Sequence, residues 1–232
     1  MLELGRITKR FGGIEALIDV DLQVVEGSLI GLVGPNGSGK TTLLNIVSGF
    51  AAPDAGHVRV GGIEVTGWPP HRIARLGVGR TLQHPRVFAR LTVLDNLRGD
   101  RGLSRTEATA LLARFGLEPQ QARLGDELTI GELRRLDLAR AVAGNPRLLL
   151  LDEPAGGLTP AETAGIADLL RTEVLPGRTV VLIEHKIDLV AALCPRVVVL
   201  DFGRRIGEGA PAEVLRRPDV VEAYLGAEEA GA

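Results

Sequence analysis

The sequence predicts an α/β fold built on a mostly parallel sheet, and two patterns in its 232 residues predict it. Short apolar runs without polar alternation are typical of strands buried on both faces of a parallel sheet, and they occur at 28–34, 148–151, 179–183 and 196–200. Helical periodicity lies between or after these runs, at about 40–50, 131–144, 160–175, 186–193 and 211–224. This alternation favours a doubly wound core.

The first part of the chain has a different pattern. The segments LELGRIT, ALIDVDLQVV and HVRVGGIEV alternate more strongly and have little helical sequence between them. Alternation with a period of two is typical of strands that bury one face. We therefore expect an antiparallel sheet within residues 1–65 that leans on the core.

Residues 91–140 interrupt the alternation of strands and helices. LTVLDNL and SRTEATALLARFGL indicate short helices, joined by RGDRG (98–102) and EPQQARLGDE (118–127). We interpret residues 91–140 as a helical insertion in a single domain, 1–232, whose core comprises 1–90 and 141–232. The tail GAEEAGA is expected to fray.

Composition and charge exclude several classes of protein. The net charge of −2 gives no nucleic-acid footprint. The single cysteine, Cys194, allows no internal disulfide and is expected to be a small buried apolar residue. The N-terminus lacks a signal-peptide core, and no apolar run approaches the roughly 20 residues that cross a bilayer. We expect a cytoplasmic protein that reaches a membrane only through partners.

The segment GLVGPNGSGKTT predicts a phosphate-binding loop, because it follows a buried strand, precedes a helix and fits G-x-x-x-x-G-K-[ST]. Backbone N–H groups of such a loop surround phosphate oxygens, Lys40 reaches the β- and γ-phosphates, and the Thr41 hydroxyl ligates Mg²⁺. A plain glycine-rich turn is the alternative, but the chain has only three lysines and one of them is here. The predicted nucleotide-binding residues, called the P-loop below, are Gly34, Pro35, Asn36, Gly37, Ser38, Gly39, Lys40, Thr41 and Thr42.

A second acidic motif, LLLLDEP, ends another buried strand. Ligands of open α/β sheets bind at this carboxyl edge. Asp152 is therefore a candidate Mg²⁺ ligand, and Glu153 is a candidate base that polarises a water for attack on the γ-phosphate. Alone, these residues would indicate no more than an acidic loop start.

The segment LTIGELRRLDLARA has two interpretations. Thr129 and Glu132 have the spacing of a capping box, which starts a helix. A helix N-terminus is also a place where an anion binds.

Taken in order, the P-loop, Gln83, LTIGE (the signature segment, 128–132), LLLLDEP and His185 resemble the ATP-binding cassette (ABC) ATPases over essentially the whole chain. The resemblance implies a P-loop NTPase core with an antiparallel β subdomain and an inserted helical subdomain. It implies that ATP and Mg²⁺ bind, with Mg²⁺ held by Thr41, Gln83 and Asp152.

The resemblance also implies roles for matching positions. Gln83 would lie near Mg²⁺ and the attacking water, His185 would contact the γ-phosphate, and Phe11 would stack on adenine. Two subunits would meet head to tail, so that each ATP lies between one P-loop and the partner's signature residues, Thr129, Ile130, Gly131 and Glu132. A loop containing Gly157 and Leu158 would cross to the other subunit. The usual signature has a glutamine where this sequence has Glu132. The glutamate adds a negative charge at this position.

Finer similarities point to the ATPase subunits of branched-chain amino acid importers, and they lie in PPHRIARLGVGRTLQ, DEPAGGLTPAE, LIEHKIDLV and PDVVEAYLG. Such a subunit sits at the cytoplasmic side of the inner membrane, as a homodimer or with a sister ATPase. Its partners are two transmembrane permease subunits and, indirectly, an extracytoplasmic solute-binding protein. The family's helical insertion is usually longer than the span here.

Three functions remain open from the sequence. The first is the ATPase of an importer, with an amide or urea as alternative solute. The second is a nucleotide-gated regulatory module that is not tied to transport. The third is another P-loop enzyme such as a kinase or GTPase, although the guanine-reading N-K-x-D motif is absent.

Overall fold

The computed structural model describes residues 1–99 and 102–229. Its strands are β1 (Leu2–Phe11), β2 (Ile14–Val24), β3 (Leu29–Val33), β4 (Ala55–Val60), β5 (Ile63–Glu64), β6 (Val78–Arg80), β7 (Leu148–Asp152), β8 (Thr179–Ile183), β9 (Arg196–Asp201) and β10 (Arg204–Gly209). Its helices are α1 (Lys40–Val47), α2 (Pro70–Arg75), α3 (Val93–Arg98), α4 (Arg105–Arg114), α5 (Ile130–Ala143), α6 (Pro160–Leu169), α7 (Ile187–Leu193), α8 (Pro211–Val214) and α9 (Pro218–Glu229). Short 3₁₀ turns cover Glu118–Gln120 and Gly125–Glu127, and a π-helical turn, Leu170–Val174, follows α6.

The predicted antiparallel sheet is confirmed, in the order β2-β1-β4-β5. Its apolar residues alternate as the sequence indicated at Leu2 and Leu4, and a register shift between Leu4 and Ile7 then brings Ile7 to the buried face three positions on. The buried face of this sheet packs in one apolar cluster with α1 and with residues of the central sheet.

The central sheet has the order β10-β9-β3-β8-β7-β6, and its pairs are parallel except for β9 with β10. The predicted burial of its strands on both faces is confirmed, since Leu148 to Leu151 are all 0% exposed. Because β3, β8, β7 and β6 are consecutive neighbours and parallel, the loops that follow them lie along one edge. These four loops carry the P-loop, His185, Glu153 and Gln83.

The region between β6 and β7 contains α3, α4, both 3₁₀ turns and α5. Apolar residues of these helices, including Phe115, Leu112 and Leu136, join a cluster that continues to the central sheet. Cys194 also belongs to this cluster, is 3% exposed, and has its pKa raised to about 12 by burial, as expected for a structural thiol.

Some elements differ from the sequence-based expectation. The single helix expected at 211–224 is two helices, because Pro218 cannot donate an N–H to a continuing helix and disfavours helical geometry at Arg217. Helix α2 and strand β10 were not predicted. The tail expected to fray is helical through Glu229, and residues 230–232 lie outside the described part, as do residues 100 and 101 of the predicted connection. Within the described residues, no helix has the length and apolar character needed to cross a bilayer.

Candidate functional site

The P-loop connects β3 to α1, and its glycines are required by close packing. Gly34 has φ 144° and Gly39 has φ 105°, a region that favours glycine. A Cβ at Gly34 would lie 2.0 Å from the Leu200 carbonyl oxygen, and one at Gly39 would lie 2.5 Å from the Ala16 carbonyl oxygen. The loop is therefore held between β2 and β9 with its backbone curled at the start of α1.

Lys40 begins α1 and reaches back into this loop. Its Nζ donates hydrogen bonds to the carbonyl oxygens of Gly34 (2.8 Å) and Pro35 (2.7 Å). The residue is 5% exposed, and burial lowers the pKa of Lys40, while the carboxylates of Glu153 and Asp152 oppose that shift. The ammonium group is thus stored inside the loop, next to both acidic residues.

The remaining predicted nucleotide-binding residues follow the same loop. Asn36 and Gly37 are exposed at its tip, Ser38 is buried, and Thr41 and Thr42 are partly exposed in the first turn of α1. Helix α1, with eight residues, begins directly after the loop tip. The backbone N–H groups of its first turn have no acceptors within the helix, so they are suited to bind a phosphate.

Asp152 is the last residue of β7 and is fully buried. Its Oδ2 accepts a hydrogen bond from Arg80 Nη2 (3.2 Å), and its backbone N–H donates to Thr81 Oγ1 (2.9 Å). Burial raises the pKa of Asp152, and the Arg80 guanidinium opposes that rise. The other oxygen, Oδ1, is buried without a hydrogen-bond partner among the described residues, which leaves one oxygen suited to a cation.

Magnesium fits this arrangement better than a metal that needs an all-protein site. No group of three or more His, Cys, Asp or Glu side chains in residues 1–99 and 102–229 is arranged to hold a metal. Mg²⁺ is usually bound by one or two protein oxygens together with substrate phosphates and water. Asp152 Oδ1 and the Thr41 hydroxyl are donors of this kind.

Glu153 turns the chain sharply out of β7. It has φ 50°, an uncommon left-handed conformation for a residue other than glycine, and its N–H donates to the Ile183 carbonyl oxygen (3.0 Å). Its Oε1 accepts a hydrogen bond from Gln83 Nε2 (3.3 Å) and lies 2.7 Å from His185 Nε2. The structure therefore brings Gln83, Glu153 and His185, residues from three different loops, to one carboxylate oxygen.

Glu184 is a site residue that the motif analysis missed. It is 2% exposed, and its carboxylate accepts the N–H groups of Ala155 (2.7 Å) and His185 (3.2 Å). Burial raises the pKa of Glu184. The signal was present in the sequence, since a carboxylate at the end of an apolar strand must find donors. Glu184 fixes the His185 backbone to the loop that follows Glu153.

The loop after Glu153 is tied down at its other end as well. Lys186 Nζ donates to the Leu158 carbonyl oxygen (3.1 Å) and to Thr163 Oγ1 (2.6 Å). Gly157 is exposed with φ 77°, whereas the Leu158 side chain is 8% exposed and packs in the core. Of the two residues predicted to cross to a partner, only Gly157 is presented at the surface.

Phe11 lies at the tip of the β1–β2 hairpin, where it pairs with Ile14. Its side chain is 52% exposed, and the Lys9 ammonium lies 5.2 Å from the ring centroid. A large exposed aromatic surface of this kind is available to stack on a planar ring.

The signature segment is a capping box as well as a helix start. Thr129 Oγ1 accepts the Glu132 N–H (3.3 Å), and Glu132 Oε2 accepts the Thr129 N–H (2.9 Å). The second oxygen, Oε1, lies 3.4 Å from Arg123 Nη1. Glu132 is 7% exposed and Gly131 is buried, whereas Ile130 is 59% exposed. The carboxylate thus turns back onto the helix end and is paired with a cation.

Two protein families match the sequence. The family described as ABC transporter matches residues 17–156, and the family described as branched-chain amino acid ATP-binding cassette transporter matches residues 204–230.

Individual relatives align along nearly the whole chain. The chain is 38% identical to the high-affinity branched-chain amino acid transport ATP-binding protein BraF of Pseudomonas aeruginosa, over 97% of this chain and 98% of that protein. It is 35% identical to the high-affinity branched-chain amino acid transport ATP-binding protein LivG of Escherichia coli, over 97% of this chain and 98% of that protein. It is also 35% identical to the lipopolysaccharide export system ATP-binding protein LptB of Escherichia coli, over 95% of each.

Solved structures agree with these relatives. An ATP-binding cassette of an ABC transporter in its ADP conformation has a TM-score of 0.87 and 30% identity, covering 97% of this chain and 98% of that one. A dimeric bacterial ABC transporter cassette has a TM-score of 0.82 and 28% identity, covering 94% and 100%. A family match over more than half of the sequence, relatives along nearly all of it, and a P-loop next to paired acidic residues establish that the chain belongs to the ABC transporter family of ATP-binding cassettes.

Proposed function

We propose that this ATPase uses Glu153 as the base that activates water, and that it drives an importer of branched-chain amino acids. The observation that carries the chemical assignment is the position of Glu153 Oε1 between Gln83 and His185. This carboxylate also lies close enough to Lys40 to oppose the depression of its pKa. A base, a phosphate-binding cation and a phosphate loop therefore meet at one edge of the sheet.

Each group has a task in the attack of water on the γ-phosphate. The P-loop N–H groups and Lys40 bind the β- and γ-phosphates and stabilise the charge that develops on them. Glu153 accepts a hydrogen bond from the water and polarises it, while Gln83 and His185 hold the carboxylate in place. Mg²⁺, when bound by Asp152, Thr41 and Gln83, neutralises phosphate charge.

The site becomes complete when a second subunit supplies its signature segment. The solved dimeric cassette with 28% identity shows that a protein of this fold pairs with a second copy. The N-terminus of α5 presents Ile130 at the surface with Gly131 buried behind it, and we propose that this helix end receives the partner's γ-phosphate. We propose a dimer of this chain or of this chain with a sister ATPase.

We expect Glu132→Gln to change the turnover number by less than about threefold, because a charge that is already hydrogen-bonded and paired repels phosphate little. The same change should lower stability by no more than about 1 kcal/mol, because glutamine can still close the capping box and only the charge that pairs with Arg123 is lost. Steady-state ATP hydrolysis and thermal unfolding measure the two effects. Glu107→Gln is the matched control, since Glu107 closes the same kind of capping box with Ser104 in α4. A tenfold or larger rise in turnover with Glu132→Gln alone would show that the signature is damped by its charge.

A cleft beside the Gln83 loop (residues 81–86) is the proposed contact with a permease. It has a volume of about 510 Å³ and lies between α2 and β6 of the core and α5. Phe50 at its rim is 62% exposed, and Phe88 on the neighbouring loop is 59% exposed. An apolar rim with arginines, Arg86 and Arg140, along its lining is suited to a short amphipathic helix. Two permeases docked in this way would place the protein at the cytoplasmic face of the inner membrane.

The solute is assigned from two comparisons. BraF and LivG carry the name of a branched-chain amino acid system, and the separate C-terminal family match covers residues 204–230. Identity alone does not select the solute, because LptB is as similar to this chain as LivG is. The C-terminal match, which is independent of the ATPase core, favours amino acids over other solutes.

Reconstitution with candidate permease subunits and their solute-binding protein tests the proposal. We expect ATP hydrolysis to rise when the binding protein is loaded with leucine, isoleucine or valine. Stimulation by an amide, by urea or by a lipopolysaccharide instead would overturn the solute assignment while leaving the ATPase intact. Normal hydrolysis that no permease alters would favour a regulatory module over a transporter subunit.

A further inference from the structure

We propose that Arg134 is a positioning residue that couples the helical insertion to the Gln83 loop and to the loop that follows Glu153. The proposal rests on the roles assigned above to Gln83 and Glu153. It adds a residue to which neither the sequence motifs nor the named relatives give a role.

Arg134 lies in the second turn of α5, and 9% of its surface is exposed. Its Nη1 donates to the Gln83 carbonyl oxygen (2.8 Å). Its Nε and Nη2 both donate to the Gly156 carbonyl oxygen, at 3.3 and 3.1 Å. One guanidinium group therefore joins two loops from two different strand ends to the helix that begins with the signature.

Both branches of this contact lead to Glu153. The Gln83 side chain donates to Glu153 Oε1 (3.3 Å), so the branch through Gln83 ends on the acidic group. The Gly156 N–H donates to the Glu153 carbonyl oxygen (3.0 Å), so the other branch ends on the backbone of the same residue. A displacement of Arg134 is transmitted to Glu153 by two routes.

The fit at Gly156 is close. A Cβ there would lie 3.0 Å from Arg134 Nη2, which is tighter than ordinary van der Waals contact. The planar fork of the arginine reaches two carbonyl groups at once, which a lysine ammonium on its flexible stem does less well. The buried Arg134 guanidinium would lose its hydrogen bonds if it were displaced from these carbonyl oxygens, which costs free energy. The contact therefore favours one relative position of α5, the Gln83 loop and the loop that follows Glu153.

The same face of α5 holds the Gln83 loop a second time. The Leu82 N–H donates to Asp137 Oδ2 (3.3 Å), and Asp137 follows Arg134 by three positions, so both side chains lie on one face of the helix. The cleft proposed for the permease is lined by Leu82, Arg86 and Asp137. A permease that moves α5 relative to the core therefore moves Gln83 and the Glu153 loop together.

The test compares catalysis with nucleotide binding in the full-length dimer. Arg134→Met removes the donors at similar length, and we expect the turnover number to fall 10- to 100-fold, because small displacements of positioned groups have effects of this size. The Kd for ATP should stay within about threefold of the wild-type value, because the hydrogen bonds of Arg134 go to Gln83 and Gly156 and not to Phe11 or the P-loop. Arg134→Lys should give an intermediate turnover number.

Arg135→Met is the matched control on the same helix. Arg135 donates to the carbonyl oxygens of Gly131 and Gly116, both in the helical insertion. Its loss should therefore lower the turnover number less than Arg134→Met does, and it should not lower turnover selectively over ATP binding. Gly156→Ala is a second probe, because its Cβ would crowd Arg134 Nη2 while the guanidinium charge is kept. It should lower the turnover number and leave the Kd for ATP nearly unchanged, as expected for Arg134→Met.

The outcomes separate this inference from the proposed function. The positioning role would be overturned if the turnover number of Arg134→Met stayed within threefold of the wild type. It would also be overturned if Arg134→Met and Arg135→Met lost the same amount of turnover and the same amount of ATP binding. If Arg134→Met does not fold, an unchanged turnover number in Gly156→Ala overturns it. Absence of hydrolysis in the wild type with bound ATP would instead remove the proposed function and this inference with it.

Discussion

Replacing Glu153 with glutamine is expected to lower ATP turnover by about 10²- to 10⁴-fold, the range of a lost general base. The amide has nearly the same shape and can still contact Gln83 and His185, but it does not polarise a water as a carboxylate does. ATP binding should persist, because the P-loop and Lys40 are unchanged. The dimer should therefore accumulate with ATP trapped between its subunits, which size-exclusion chromatography with ATP would detect as a stable dimer peak.

Glu26→Gln is a suitable control for that experiment. It makes the same chemical change at a side chain that is 64% exposed and pairs with Arg147 on the surface. Exposed pairs contribute little to stability, so turnover and folding should match the wild type. Turnover of Glu153→Gln within a few-fold of the wild type would mean that another group activates the water.

Replacing Lys40 with alanine is expected to weaken ATP binding by about one to two orders of magnitude, as for the loss of hydrogen bonds to a charged group. The ammonium group is held by the Gly34 and Pro35 carbonyl oxygens, directly where phosphates are expected. Burial lowers the pKa of Lys40, and the carboxylates of Glu153 and Asp152 oppose that shift. Turnover should fall further than binding, because charge grows on the phosphates in the transition state.

Titration with a fluorescent ATP analogue measures the binding loss for Lys40→Ala, and thermal unfolding without nucleotide shows whether the empty loop stays folded. A folded variant that binds ATP within threefold of the wild type would contradict the assignment of Lys40.

The residues proposed for the core of the site could be picked out from the sequence because they lie at strand ends within short linear motifs. Strand β7, for example, is an apolar run that ends in Asp152 and is followed directly by Glu153, so the role proposed for this pair follows from its position at the strand end. The direction of the Glu132 side chain follows from the capping-box spacing with Thr129, which is visible in the sequence. Its second partner, Arg123, could not be predicted, because it lies nine positions away in a different turn.

Other features depend on contacts that the sequence does not display. Strand β10 has the sequence RRIGEG, whose charges and glycines do not resemble a buried strand because it lies at the edge of the sheet. Arg134 binds backbone carbonyl groups, and any residue provides a carbonyl, so no side-chain motif marks its partners. Contacts of this kind to backbone atoms become visible only in the folded structure.

The left-handed backbone of Glu153 bears on attempts to engineer the protein. An L-residue in this conformation costs about 1–2 kcal/mol relative to glycine, which adopts it without strain. A programme that selects substitutions for thermal stability alone would therefore favour glycine at position 153, and it would discard the proposed base in doing so. Position 153 should be held fixed in any such library, because the substitution that relaxes the fold most at this point is also the one that removes its chemistry.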